Sequence, residues 1–344
     1  MAECLIFGWG IPFFIFIVSM TIESIKEQVI GGKPANEEQA VFLTECPDKE
    51  SLYRAAHEIT CACMGNKFDT CSIINAKSGN CSEDCKWCAQ SSFYKTNVEL
   101  YPLLPLEECL RYALRNDQQG IRRFALVTSG KKVTRKDLEK IVGIIKEIKK
   151  RTGIHCCASM GLLREEELQA LFDAGVENYH CNIETAPSYF GRLCTTHTTA
   201  QKMATISTAR KIGFRICSGG IIGMGETMKQ RIEMAVFLQK AGILSIPLNI
   251  LHPIPGTPLE DTAPLSEEEL LTTVAMFRFT NPKAFLRFSG GRARLSEALQ
   301  KKFLFAGINS AITGDLLTTA GCSTENDFSM FKEAGYDISL NTDW

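Results

Sequence analysis

Eight short runs of β-type residues, each followed by a longer segment of helical character, recur between residues 70 and 313. They are Thr70–Asn75, Arg123–Thr128, Ile154–Ser159, Asn178–Ile183, Phe214–Ser218, Ser245–Ile250, Phe285–Ser289 and Asn309–Thr313. Strands that alternate with helices are covered on both faces, which favours parallel pairing. The expected fold is an α/β protein built as a (β/α)8 TIM-type barrel. An open doubly wound sheet is the alternative, because strand order is not written in sequence. Between the strands, Thr134–Lys150 sets Leu138, Ile141, Val142, Ile145 and Ile148 on one helical face with lysines opposite. Arg164–Ala174 and Ser266–Phe277 read the same way, and Ser266-x-x-Glu269 forms a capping-box pattern. In such a barrel, chemistry belongs at the C-terminal strand ends and the loops after them.

Ahead of the barrel, residues 1–19 form an apolar extension of uncertain status and residues 20–60 an N-terminal helical segment, leaving 61–344 for the barrel. The apolar run Leu5–Val18 is shorter than the roughly 20 residues a membrane-spanning helix needs. It has no basic residue before it and no small-residue cleavage site. Folding information is read as starting at Met20, and the expected location is cytoplasmic, with no membrane partner. Lys and Arg are scattered around a formal net charge of −1, so no basic stripe invites nucleic acid. The 15 cysteines, in a chain of this setting, point to metal or redox chemistry rather than disulfides.

Directly after the first strand comes AKSGNCSEDCKWCAQSSFYK, with the spacing Cys81-x3-Cys85-x2-Cys88. Three neighbouring thiolates can hold one face of an iron–sulfur cubane and leave its fourth iron open, as a catalytic metal position requires. A structural zinc site needs four closed ligands, and no fourth Cys or His follows nearby in sequence. Disulfides would leave one of the three unpaired.

The loop, with Trp87 before its last cysteine, resembles the signature of the radical S-adenosylmethionine (SAM) superfamily. The series IINAKSGNCSEDCKWCAQSS, YHCNIET, ICSGGIIGMGE, NILHPIPGTPL, RFSGGR and AGINSAITGDLLTT narrows the resemblance to biotin synthase over residues 50–340. That resemblance implies a [4Fe-4S] cluster on Cys81, Cys85 and Cys88 with SAM on its open iron. It also implies sulfur insertion into dethiobiotin, an auxiliary iron–sulfur cluster as sulfur donor, a flavodoxin or ferredoxin as electron donor, and a homodimer. Carried over by position, Trp87, the Val127, Thr128 and Ser129 backbone, Asn182, Glu184 and Ile221 would contact SAM. His180, Asn182 and Asn249 would contact dethiobiotin. Residues 180, 182 and 184 share one strand face, and a buried polar role without ligand contact is the plainer reading of each. The GGIIGMGE stretch reads as a strand-to-helix turn beneath the adenine.

One departure stands out. The resemblance implies three barrel cysteines and an arginine around the auxiliary cluster, and Cys157, Cys217 and Arg292 match, but Ala125 occupies the second-strand position. Cys71, about 20 Å of extended chain below Lys77, is the expected replacement. Cys181 is its rival, and a merely packed Cys71 the bland reading. The cluster is therefore [2Fe-2S] or a larger four-iron form. Arg292 has a second reading as a charge partner, and Arg123 one as a counter-charge. Competing functions are a hydrogenase-cofactor maturase, a methylornithine synthase, a non-catalytic iron–sulfur carrier and a zinc protein.

Overall fold

The computed structural model describes residues 20–314, 322–340 and 342, so the apolar extension and the end of the AGINSAITGDLLTT motif lie outside the described residues. Three helices come first: α1 (Ile22–Ile30), α2 (Glu37–Glu45) and α3 (Lys49–Met64). Helix α3 runs past residue 60, where the helical segment was expected to hand over to the barrel. The strands follow as β1 (Asp69–Lys77), β2 (Arg123–Thr128), β3 (His155–Ser159), β4 (Val176–His180), β5 (Arg215–Cys217), β6 (Gly220–Ile222), β7 (Ser245–Ile250), β8 (Phe285–Phe288) and β9 (Ser310–Ile312). Between and after them lie α4 (Leu106–Gln118), α5 (Arg135–Arg151), α6 (Glu165–Asp173), α7 (Pro187–Leu193), α8 (Thr199–Ile212), α9 (Met228–Lys240), α10 (Glu267–Thr280), α11 (Glu297–Phe305) and α12 (Thr324–Glu333).

All neighbouring strands pair in parallel. Their order is β5-β4-β3-β2-β1-β9-β8-β7-β6, and a further β5–β7 pairing at Cys217↔Ser245 closes the ring. The barrel stands; the open sheet does not. Strands β5 and β6 are two halves of one stave, which brings the count to the eight expected. What reads in sequence as a turn at GGII is thus half a strand, with the true turn beginning at Gly223.

The break has a steric cause. A Cβ on Gly219 would lie 2.0 Å from the Pro247 carbonyl oxygen, and one on Gly220 would lie 2.3 Å from the Glu184 carbonyl oxygen. Only glycine permits this approach. Two asparagines splice the exposed backbone: Asn182 Oδ1 accepts from the Gly219 N–H at 2.9 Å, and Asn249 Nδ2 donates to the Gly220 carbonyl at 3.0 Å. Gly219→Ala is expected to lower stability by about 3 kcal/mol or more, since backbone rather than a flexible side chain must move; thermal unfolding checks this.

Helix α5 behaves as its periodicity predicts, with Thr134 capping it through the Asp137 N–H, although Ile144 takes the buried place expected of Val142. The capping box at Ser266 and Glu269 also forms. Helix α10 differs from its amphipathic reading: every residue from Leu270 to Thr280 is buried. Helices α2 and α3 pack over it, and α9 and α11 flank it on either side. Among the described residues no helix is long and apolar enough to cross a membrane.

Candidate active site

The three-cysteine loop leaves β1 at the C-terminal mouth of the barrel. It folds back on itself through the Cys81 N–H to the Gln90 carbonyl (2.9 Å) and the Ser92 N–H to the Cys81 carbonyl (2.8 Å). Asp84 docks it against the segment after α7. Its carboxylate accepts from the Thr195 N–H (2.9 Å), the Thr196 N–H (3.2 Å) and both threonine hydroxyls. Burial alone would raise the Asp84 carboxyl, but these donors outweigh it and hold the group well below the usual carboxylate range. Cys88 opens onto the cavity below, where burial pushes its thiol up to about 11. Three partly exposed thiols on one braced loop form an all-sulfur donor set that suits a cubane.

Beneath the loop lies a cavity of about 360 Å³ enclosed by the staves. Its upper wall carries Trp87, Asn182, Glu184, Ile221 and Asn249, all expected there. Asn182 Nδ2 donates to Glu184 Oε2 at 3.3 Å. Glu184 adopts φ 72°, a left-handed conformation costly for a residue with a Cβ. It is held by paired backbone bonds to Gly219 and Ile221. Both asparagines therefore serve the backbone as well as the cavity, which the sequence did not foretell. Of Val127, Thr128 and Ser129, only Val127 lines the cavity; Ser129 ties its N–H to Lys77 and its hydroxyl to Gly79.

His180 also lines the cavity. Burial lowers its pKa to about 4, against a weaker opposing pull from Glu184. The imidazole is neutral at pH 7, with one donor and one acceptor nitrogen. The unfolded chain takes up this proton near pH 6.5 and the folded chain only near 4. Stability is therefore fully present above 6.5 and falls away as pH drops toward 4. His180→Gln is expected to flatten that decline by up to one proton, about 1.4 kcal/mol per pH unit, in denaturant melts taken across the window.

Deeper, Cys71, Cys157 and Cys217 all reach the lumen, and Cys71 and Cys157 pack around Ala125. The register explains the grouping: Ala125 lies opposite Cys157 on β3, and Cys71 lies opposite Arg123 two residues below. Cys181 is buried in the hydrophobic layer outside the lumen and does not line the cavity. Hydrogen bonding from Cys71 holds the Cys157 thiol below its usual range, with Arg123 and the Asn178 amide adding to it, and the same bond together with burial pushes Cys71 up. Asn178 Nδ2 lies 3.1 Å from Cys157 Sγ, and Ser245 Oγ lies 3.3 Å from Cys217 Sγ.

Arg292 is not with them. Gly291, at φ 84°, turns the chain away after β8. The Arg292 guanidinium is then held by both Asp327 oxygens, by Gln300 Oε1 (3.1 Å) and by the Ile312 carbonyl (2.8 Å). This is the charge-partner reading. The arginines in the lumen are Arg123, on β2, and Arg287, on β8 just before the glycine turn. Arg287 donates to Asp69 at 2.6 Å and to Ser245 Oγ at 3.2 Å. Arg123 binds the same Asp69 carboxylate at 3.0 Å, so two guanidinium groups face one carboxylate at the cavity floor. Burial would raise Asp69, but Arg287 and Arg123 overcome it and keep the group ionised. One positive charge is left in excess beneath three thiols. The sequence signal for Arg287 was a lone arginine inside the apolar run FLRF; for Asn178 it was the shared parity with His180 and Asn182.

The fold and the thiol loop define a radical SAM barrel. Residues 76–238 match the Radical SAM superfamily, and residues 247–337 match the Biotin and Thiamin Synthesis associated domain. The chain is 67% identical over 325 residues to the biotin synthase of Parabacteroides distasonis, covering 94% of this chain and 99% of that protein. It is 58% identical to the biotin synthase of Porphyromonas gingivalis, covering 94% and 98%. The chain belongs to the biotin synthase family. Solved structures of a methylornithine synthase (TM-score 0.80, 18% identity, covering 92% of this chain and 97% of that one) and of an [FeFe]-hydrogenase maturase (0.79, 18%, 93% and 76%) share its fold. At that identity they speak for the barrel alone.

Proposed function

We infer that this chain inserts sulfur into dethiobiotin to close the thiophane ring of biotin. The observation that carries the reading is one cavity with Cys88 of the three-cysteine loop at its mouth, three further thiols in its depth and neutral polar side chains between them. When bound, the upper cluster supplies the electron that cleaves SAM to a deoxyadenosyl radical, and the lower one supplies the sulfur. The protein's part is placement. Trp87, packed edge-on to Phe190 at 6.5 Å, walls the mouth beside Cys88. Glu184 offers a carboxylate to a ribose, with Asn182 bracing it. His180 and Asn249 present uncharged donors and acceptors to a ureido ring. The staves exclude water from the space where a carbon radical must survive.

Cys71, Cys157 and Cys217 with Arg287 are the proposed auxiliary ligand set. Asn178 and Ser245 would donate to two of the sulfurs, as outer-shell groups do at metal sites. The reading carries with it a one-electron donor of the flavodoxin or ferredoxin type, a homodimer and a cytoplasmic location. Anaerobically reconstituted protein, given SAM, reductant and dethiobiotin, is expected to yield biotin by mass spectrometry. Deoxyadenosine without biotin would favour a methylornithine-synthase-like or maturase-like activity. No SAM cleavage at all would leave only a carrier.

A further inference from the structure

A fourth thiol stands beside the cluster loop where no cubane ligand is called for. Cys194 ends α7, and its Sγ lies 3.7 Å from Cys85 Sγ. His197, buried before α8, brings its ring nitrogens to 3.3 Å (Nδ1) and 3.9 Å (Nε2) from the same sulfur. One donor atom each from Cys85, Cys194 and His197 lies within 4.8 Å of the others. On a tetrahedral divalent ion, with metal–sulfur bonds near 2.3 Å and metal–nitrogen bonds near 2.05 Å, two sulfurs sit about 3.8 Å apart and a sulfur and nitrogen about 3.5 Å apart. The Cys85–Cys194 edge already matches at 3.7 Å, and His197 Nε2, at 3.9 Å from Cys194 Sγ, lies a few tenths of an ångström outside its edge, within reach of a small ring shift.

The imidazole is also oriented for the task. Glu83, itself buried, lies 2.7 Å from His197 Nδ1 and is flanked by Lys131 at 3.7 Å. A carboxylate at Nδ1 keeps the proton there and leaves the Nε2 lone pair for a metal, as carboxylate–histidine pairs do at zinc sites. Asp84, 3.2 Å from Cys194 Sγ, adds negative potential without entering the set.

We propose that Cys85, Cys194 and His197 form a site for a single thiophilic divalent cation, ferrous iron or zinc, which is filled only while Cys85 is free of the cubane. Binding releases the thiol protons of Cys85 and Cys194 to solvent and needs no redox partner. Because Cys85 serves both sites, occupancy of one excludes the other. The site is either a staging post for the first iron or, with zinc, a block to cluster assembly. It does not depend on the dethiobiotin reading.

The test uses the full chain, iron-free and anaerobic, titrated with Co²⁺ as the spectroscopic probe. Cys81→Ala/Cys88→Ala, which lacks two cubane ligands, made in a Cys71→Ala/Cys157→Ala background that removes two of the deeper thiols, is expected to keep one tetrahedral cobalt with thiolate charge-transfer absorption. Adding Cys194→Ala or His197→Gln to that background is expected to weaken binding by roughly 100-fold, and Glu83→Gln by about tenfold. Cluster-reconstituted wild type is expected to bind no cobalt there. Far-UV circular dichroism of each variant, and cubane uptake by Cys194→Ser alone, show that the fold persists. The proposal is overturned if cobalt binding survives loss of Cys194 and His197, if it disappears with Cys81 and Cys88, or if reconstituted protein binds cobalt equally well.

Discussion

Cys71→Ala is expected to abolish biotin formation while leaving SAM cleavage intact. The variant should lose the iron and sulfide of the auxiliary cluster, keep the spectrum of the SAM cluster, and release deoxyadenosine without product. A fall of at least about 100-fold in biotin yield is expected, the upper range for disturbing even an outer-shell partner of a metal. If Cys71 were only a packed hydrophobe, the same change would cost about 1 kcal/mol of stability and little activity. The geometry separates the two readings. Cys71 and Cys157 converge around Ala125 in a small group set apart from the main core, above a floor where Arg287 and Arg123 outnumber Asp69. The bond between the two thiols holds Cys157 down and, with burial, pushes Cys71 up, so Cys71 gives up its proton when metal binds rather than before. The reciprocal change sharpens the test: Cys71→Ser with Ala125→Cys moves the thiol to the second strand and is expected to recover auxiliary iron, measured as iron and sulfide per chain and by Mössbauer spectroscopy. Full auxiliary iron and activity in Cys71→Ala would remove Cys71 from the ligand set.

How much of this was legible in sequence depends on whether a feature is local. The eight staves were readable because each is a short β-branched or aromatic run with its own turns, and α5 because its apolar residues keep the helical period. The upper wall was readable too, since 180, 182 and 184 must share a strand face. The second half of the fifth stave was not, because Gly219 and Gly220 look like a turn until Pro247 and Glu184 are seen pressing on them from other parts of the chain. Helix α10 was misread as amphipathic because its outer cover comes from α2 and α3, more than 200 residues earlier in the chain. The pairing of Cys194 with Cys85 had no local signature at all; it depends on Asp84 docking one loop on another across more than 100 residues.

The two arginines of RFSGGR show the same limit, and they separate by experiment. Arg287 lies on β8 and points into the lumen, whereas Arg292 lies past the glycine turn and faces α12. Arg292→Met leaves Asp327 buried without its cation, which typically costs about 3–5 kcal/mol. A Tm lower by something on the order of 10 °C is expected, with both cluster spectra unchanged in protein reconstituted in the cold. Arg287→Met should do the opposite. Asp69 keeps Arg123 and the Thr342 hydroxyl at 2.5 Å, so the stability loss is smaller, about 1–3 kcal/mol. The cavity floor, however, loses its excess positive charge and the one guanidinium that reaches both Asp69 and Ser245, the latter in contact with Cys217. Auxiliary-cluster spectra should shift or vanish, and biotin yield should fall at least about 100-fold, with SAM cleavage retained. Arg287→Lys restores the charge without the planar fork and is expected to recover stability more fully than activity. If instead Arg292→Met erases the auxiliary signals and Arg287→Met spares them, the ligand arginine lies outside the lumen and the floor charge has no part in sulfur transfer.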